Sequence, residues 1–206
     1  MAEFFLNAII FSNPIITWLF FIGAYAILGG GIKYIDDAFD EKVFRTRNAV
    51  LFAPILGIFW FVTMILSPES ATILGAIVIA VFLKGKIDNI AHQLGIISIF
   101  FLLFIFGFFN FLWIPMLILI IAGLFDELGN DYVDKHLEVR KPIWLFFKYR
   151  FVMKIAVLCF VLLGIFAPVY FFAFLAFDIA YALITKYSAK LAHMRKFYYH
   201  KRTNGV

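Results

Sequence analysis

Cysteine, charge and polar stretches are what this chain of 206 residues has least of. It holds one cysteine, so no internal disulfide can form and thiol usage reports no redox compartment. Only 15% of its residues are charged and 65% are hydrophobic, against roughly 45–50% apolar in a soluble domain. That balance excludes a soluble enzyme and a disordered chain alike. Long unbroken apolar runs exclude a transmembrane β-barrel, whose strands alternate. The stretch from Ile96 to Phe125 carries no charge at all, well beyond the ~20 residues that cross a hydrocarbon core. In lipid the backbone must satisfy itself, which leaves helices. The opening MAEFFLNAIIF has no basic n-region and no small-residue cleavage site, so no removable signal peptide is expected.

What is present reads as an all-α, polytopic membrane helix bundle. Polar punctuation divides the apolar sequence into about seven spans, near 14–32, 48–66, 70–84, 92–109, 112–126, 150–166 and 168–186. A partial helix from Phe4 to Phe11 precedes them. All 18 Lys and Arg residues fall in four places, 33–47, 84–86, 135–154 and 186–202, while the intervening turns have none. By the positive-inside rule these basic regions are cytoplasmic, which puts the N-terminus outside and the C-terminus inside. The net charge of +5 therefore reflects topology, and no nucleic-acid partner is expected. This requires 92–126 to be a hairpin bending near Gly107, Asn110 and Pro115 rather than one long helix.

The halves resemble each other in pattern. Each runs from an apolar helix into an acidic loop, then basic residues, then a hairpin turning at a proline, Pro68 or Pro168. We divide the chain into a first half-repeat, 1–91, with acidic loop 36–41, and a second, 92–190, with acidic loop 126–138. A basic tail, 191–206, completes one structural domain. Both acidic loops share a side, so the repeat is parallel, unlike the inverted repeats of many transporters.

The first loop places Asp36, Asp37 and Asp40 at helical spacings, so some share a face and repel. The second holds Asn130, Asp131, Asp134 and Glu138 at similar spacings, with Asp126 and Glu127 upstream. A hard divalent ion with oxygen ligands would hold such carboxylates. Mg²⁺ in particular takes one or two and coordinates a substrate phosphate. Adjoining Arg and Lys would clamp the rest of the anion. The plainer alternative is acids that solvate helix ends or form weak surface pairs.

The run NDYVDKHLEVRKP, Asn130 to Pro142, resembles the first signature of the UbiA superfamily of intramembrane prenyltransferases. Asn130, Asp131 and Asp134 match, Glu138 stands for the third Asp, and Arg140, Lys141 and Pro142 supply the basic and proline positions. Asp36 and Asp40 resemble the family's second signature. The resemblance implies two parallel helical repeats with both signatures on the cytoplasmic side. It also implies carboxylates that bind Mg²⁺ and a prenyl diphosphate, whose departure leaves an allylic cation for an acceptor.

On that reading Asp37, Asp40, Asp131 and Asp134 are catalytic, and Asp36, Asp37, Asp40, Asp131, Asp134 and Glu138 hold the metal. Asn130, Arg45, Arg140, Lys141 and Asp178 bind substrate, an isoprenoid diphosphate or other lipid. Asp178 lies two turns before Lys186, ~12 Å inside its helix end, where an ionised carboxylate must face the bundle interior or a wet cavity. Asp88 and His92 share a helical face as a candidate pair. Two other functions fit the same sequence: a cation or small-solute transporter with Asp178 on its path, and a non-catalytic membrane scaffold.

Overall fold

The computed structural model describes residues 13–85, 87, 89–107, 110–136, 138 and 140–203, with side chains to Arg195. The expected helix from Phe4 to Phe11 and the Asp88 half of the Asp88–His92 pair lie outside the described residues.

All regular structure among the described residues is helical, and local chemistry sets where each helix starts. α1 (Pro14–Phe39) opens on Asn13, whose side chain accepts from the Ile15 N–H at 2.9 Å. Pro14 sits in the first turn, where a missing N–H is harmless. α2 (Thr46–Ile65) leads to Ser67, whose hydroxyl accepts from the Ser70 N–H and opens α3 (Pro68–Leu83). Asn89 caps α4 (Ile90–Phe106) by accepting from the His92 N–H. α4 stops at Gly107, whose φ of +59° belongs to the left-handed region that favours glycine. α5 (Trp113–Lys135), a short α6 (Lys141–Lys148), α7 (Phe151–Leu162) and α8 (Pro168–Thr203) follow. α1, α2, α5 and α8 are long and apolar enough to cross a membrane, and α3, α4 and α7 are shorter apolar helices.

Three pairs of helices pack side by side in parallel. α1 lies along α8, with Trp18 on Phe172 and Phe21 on Tyr170 at ring separations of 5.4 and 5.0 Å, and Phe44, beyond the end of α1, stacked on Tyr187. Gly29 makes their close approach possible, because a Cβ there would run into the Phe177 backbone. α2 lies along α4 in the same way, with Gly57 against the Gly95 carbonyl and Phe61 against Phe106. α3 lies along α5: the Thr72 hydroxyl accepts from the Leu112 N–H at 2.9 Å, Ala80 meets Gly123, and Lys84 pairs with Asp131 at 2.7 Å. Because α1 to α5 also reverse direction at each turn, the ends of α1, α3, α5 and α8 gather at one pole with the starts of α2, α4 and α7. Most of the described charge is found at that pole.

The hairpin expected in 92–126 is present, turning between Gly107 and Trp113. Two other expectations change. Asp36 and Asp37 stand on the last turn of α1, and Asp126 to Asp134 on the last turns of α5, so most of both acidic segments is helix rather than loop. The helix also runs unbroken through the basic tail to Thr203, because no glycine or proline interrupts it after Pro168.

Candidate anion-binding site

Seven acidic side chains at the charged pole are met by hydrogen-bond donors or cations from defined positions. Asp37 is buried and pairs with Lys33, one turn earlier on α1, at 2.8 Å. Asp36 accepts from the Tyr181 hydroxyl of α8 at 3.3 Å and lies 3.2 Å from His92 Nε2 of α4. Asp131 holds Lys84 at 2.7 Å, and Asp134 holds Lys148 at 2.8 Å while also accepting from Asn130 at 3.5 Å. Asp178 pairs with Lys154 of α7 at 2.5 Å, and Lys154 also donates to the Tyr149 carbonyl. Arg150 reaches Glu127 at 2.9 Å.

Asp126 does a different job. Its two carboxylate oxygens accept from the Val152 and Met153 N–H groups at 3.0 and 2.8 Å. It thus caps α7 from a neighbouring helix, satisfying donors that a helix start leaves free. Arg150, the residue before α7, has φ +51°, a left-handed conformation that costs a non-glycine residue about 1–3 kcal/mol. The Asp126 cap and the Glu127 ion pair hold it there. The result turns the Arg150 guanidinium inward, 5.1 Å from the centre of the Tyr181 ring. The Lys33 ammonium approaches the same ring at 5.4 Å, so one aromatic side chain serves two cations.

These cations define a cleft of about 430 Å³. Lys33, Lys148, Arg150, Lys154 and Lys186 line it, with Asp178 as the one carboxylate in the lining and Asn130, Tyr149, Tyr181 and Thr185 as hydrogen-bonding groups. Arg150 and Asp178 also wall an inner cavity of about 50 Å³. That cavity shares Ile77 and Val81 with an apolar one of about 90 Å³ that runs past Trp60 to His92. Val78 and Ile99 in turn connect its wall to a larger apolar cavity of about 470 Å³ beside Phe104, Phe111 and Trp113. Chemically, the sequence of spaces suits an anionic head at the charged pole and an apolar body behind it. Several ammonium groups and a guanidinium offer charge-assisted donors to phosphate oxygens, with Lys148 and Lys186 exposed at the rim and Lys33, Arg150 and Lys154 half-buried.

The expectation of one ion shared between two acid clusters fares differently. Asp36, Asp37, Asp131 and Asp134 meet lysine, histidine or tyrosine, Asp40 is exposed at the end of α1, and Glu138 is exposed beyond α5. No group of three or more Asp, Glu, His or Cys side chains is placed to hold a metal among the described residues. The donor set therefore does not fit a preformed Mg²⁺ site, since lysine ammonium groups occupy the positions where an ion would neutralise the carboxylates. Arg45, Arg140 and Lys141, expected beside the phosphates, are exposed and outside the cleft lining. Asp178 does face the cleft, with Lys154 as its partner.

Sequence reasoning passed over Lys33, Lys148, Arg150, Lys154 and Lys186. Lys154 carried a usable signal, because it interrupts the apolar run FVMKIAVLCF and an intramembrane acid such as Asp178 calls for a cationic partner. No protein-family model, curated protein or solved structure matches the chain.

Proposed function

We propose that this chain is an integral membrane protein that binds the phosphorylated head of a membrane lipid, foremost an isoprenoid diphosphate, in the cationic cleft. The observation that carries the reading is the convergence of Lys33, Lys148, Arg150, Lys154 and Lys186 on one cleft whose inner wall, Arg150 and Asp178, is shared with the first of the cavities leading into the apolar interior. The head meets Lys and Arg directly, and the chain occupies the apolar cavities behind them. The reading takes α1 to α5, α7 and α8 as seven spans and, from the basic loops, puts the charged pole in the cytoplasm and the N-terminus outside. The three parallel helix pairs support a parallel rather than an inverted arrangement of repeats.

The UbiA-like run from Asn130 to Pro142 makes transfer of the prenyl group to an acceptor the reaction to look for. Asn130 lines the cleft and Asp134 positions Lys148, so the motif reaches the site through its partners. Mg²⁺ is not needed for this first contact. The test is binding of labelled prenyl diphosphates to the purified protein in nanodiscs, followed by assay for diphosphate release. Saturable binding supports the reading, and binding unchanged by Lys33→Ala and Lys154→Ala together removes it.

A further inference from the structure

α6 is anomalous for a helix outside the spanning set. Its sequence KPIWLFFK is mostly apolar, yet none of its residues is buried, and Ile143, Trp144 and Leu145 are 45%, 37% and 37% exposed. At eight residues it is ~12 Å long, far too short to cross a bilayer. Its C-terminal half is tied to the charged pole: Phe147 fills the space left by Gly129 on α5, and Phe146 stacks on Phe151 at the start of α7. An apolar, tryptophan-bearing surface fixed at that level would be a liability in water and is at home among headgroups. Charge agrees. Lys135 and Arg140 just before it and Lys141 at its first position are exposed, against the single acid Glu138.

We infer that α6 docks into the headgroup layer of the charged-pole leaflet and selects anionic phospholipids. Ile143, Trp144 and Leu145 enter the apolar boundary, while Arg140 and Lys141 meet lipid phosphates. This gives Arg140 and Lys141 a role apart from the cleft, and it holds whatever the cleft binds. Trp144 and Lys148 belong to both surfaces, since they also line the cleft. The docked helix therefore sets the rim of the cleft at headgroup level, where a lipid enters sideways.

The experiment uses full-length protein carrying Cys159→Ser, which removes the exposed native thiol, and a spin label on Ile143→Cys. Nanodiscs of phosphatidylcholine alone are compared with nanodiscs containing phosphatidylglycerol. The expected result is a label more accessible to oxygen than to a water-soluble nickel complex, and deeper in the anionic discs. Arg140→Gln with Lys141→Gln should weaken enrichment of a fluorescent phosphatidylglycerol around the protein about fivefold per charge removed. Arg140→Lys should retain it, which separates lost charge from misfolding. A label as accessible to nickel as one on a soluble loop, or enrichment unchanged in the double variant, overturns the inference.

Discussion

The Arg150 guanidinium donates to the Glu127 carboxylate at 2.9 Å, joining the start of α7 to the last turns of α5. Glu127 is buried, and Arg150 is held in a left-handed backbone conformation to reach it. This one ion pair fixes the wall that the cleft shares with the inner cavity.

Removing one partner should therefore hurt more than removing both. Arg150→Ala leaves Glu127 buried without its cation, a loss of about 3–5 kcal/mol, whereas Arg150→Met with Glu127→Leu should recover much of it. Thermal unfolding in detergent compares the two. A double variant no more stable than Arg150→Ala would show that the pair is not a coupled unit.

Asp126 is predicted to serve structure and not ligand. Asp126→Ala removes the acceptor of two backbone N–H groups and should cost about 2 kcal/mol, while affinity for a prenyl diphosphate stays near wild type in the folded fraction. Hydrogen exchange should quicken first at Val152 and Met153.

Close helix approach gives a paired prediction. Gly29→Ala pushes a methyl group into the Phe177 backbone and should destabilise the α1–α8 contact by about 1–3 kcal/mol. Gly23→Ala, on the same helix with open space around it, should be neutral or mildly stabilising. Equal effects at the two positions would contradict the packing described.

How far the sequence anticipated this arrangement depends on the element. Pro68 and Gly107 marked real helix boundaries, because helix starts and left-handed turns are local chemistry. The all-helical class and the hairpin after α4 were readable for the same reason, in apolar runs and their breaks. Partners at a distance were not. Asp131 and Asp134 looked like ligands for an ion because their spacing is visible along the chain, whereas Lys84 and Lys148, which neutralise them, lie 47 and 14 residues away. Nor does spacing reveal that Asp126 caps another helix. Asp178 was legible by depth alone, since a membrane-buried acid needs company, but that its partner is Lys154 required the fold.

Asp178 also sets the charge of the cleft. As the one carboxylate in the lining, it should oppose an incoming anion and hold Lys154 in reserve. Asp178→Asn is expected to raise affinity for a prenyl diphosphate several-fold, and Lys154→Ala to lower it about tenfold, the scale of one charge-assisted contact of ~1.4 kcal/mol or more. Opposite signs in the two variants are the signature. A fall in both would place Asp178 among the binding groups.

The most direct test of the cationic cleft is equilibrium binding of a labelled prenyl diphosphate to nanodisc-embedded protein in a chelator, with and without added Mg²⁺. Saturable binding in the chelator, lost when Lys33 and Lys154 are both changed to alanine, is the predicted result. Binding that appears only with Mg²⁺ and vanishes in Asp37→Ala or Asp131→Ala would contradict it, returning the carboxylates to the role of metal ligands.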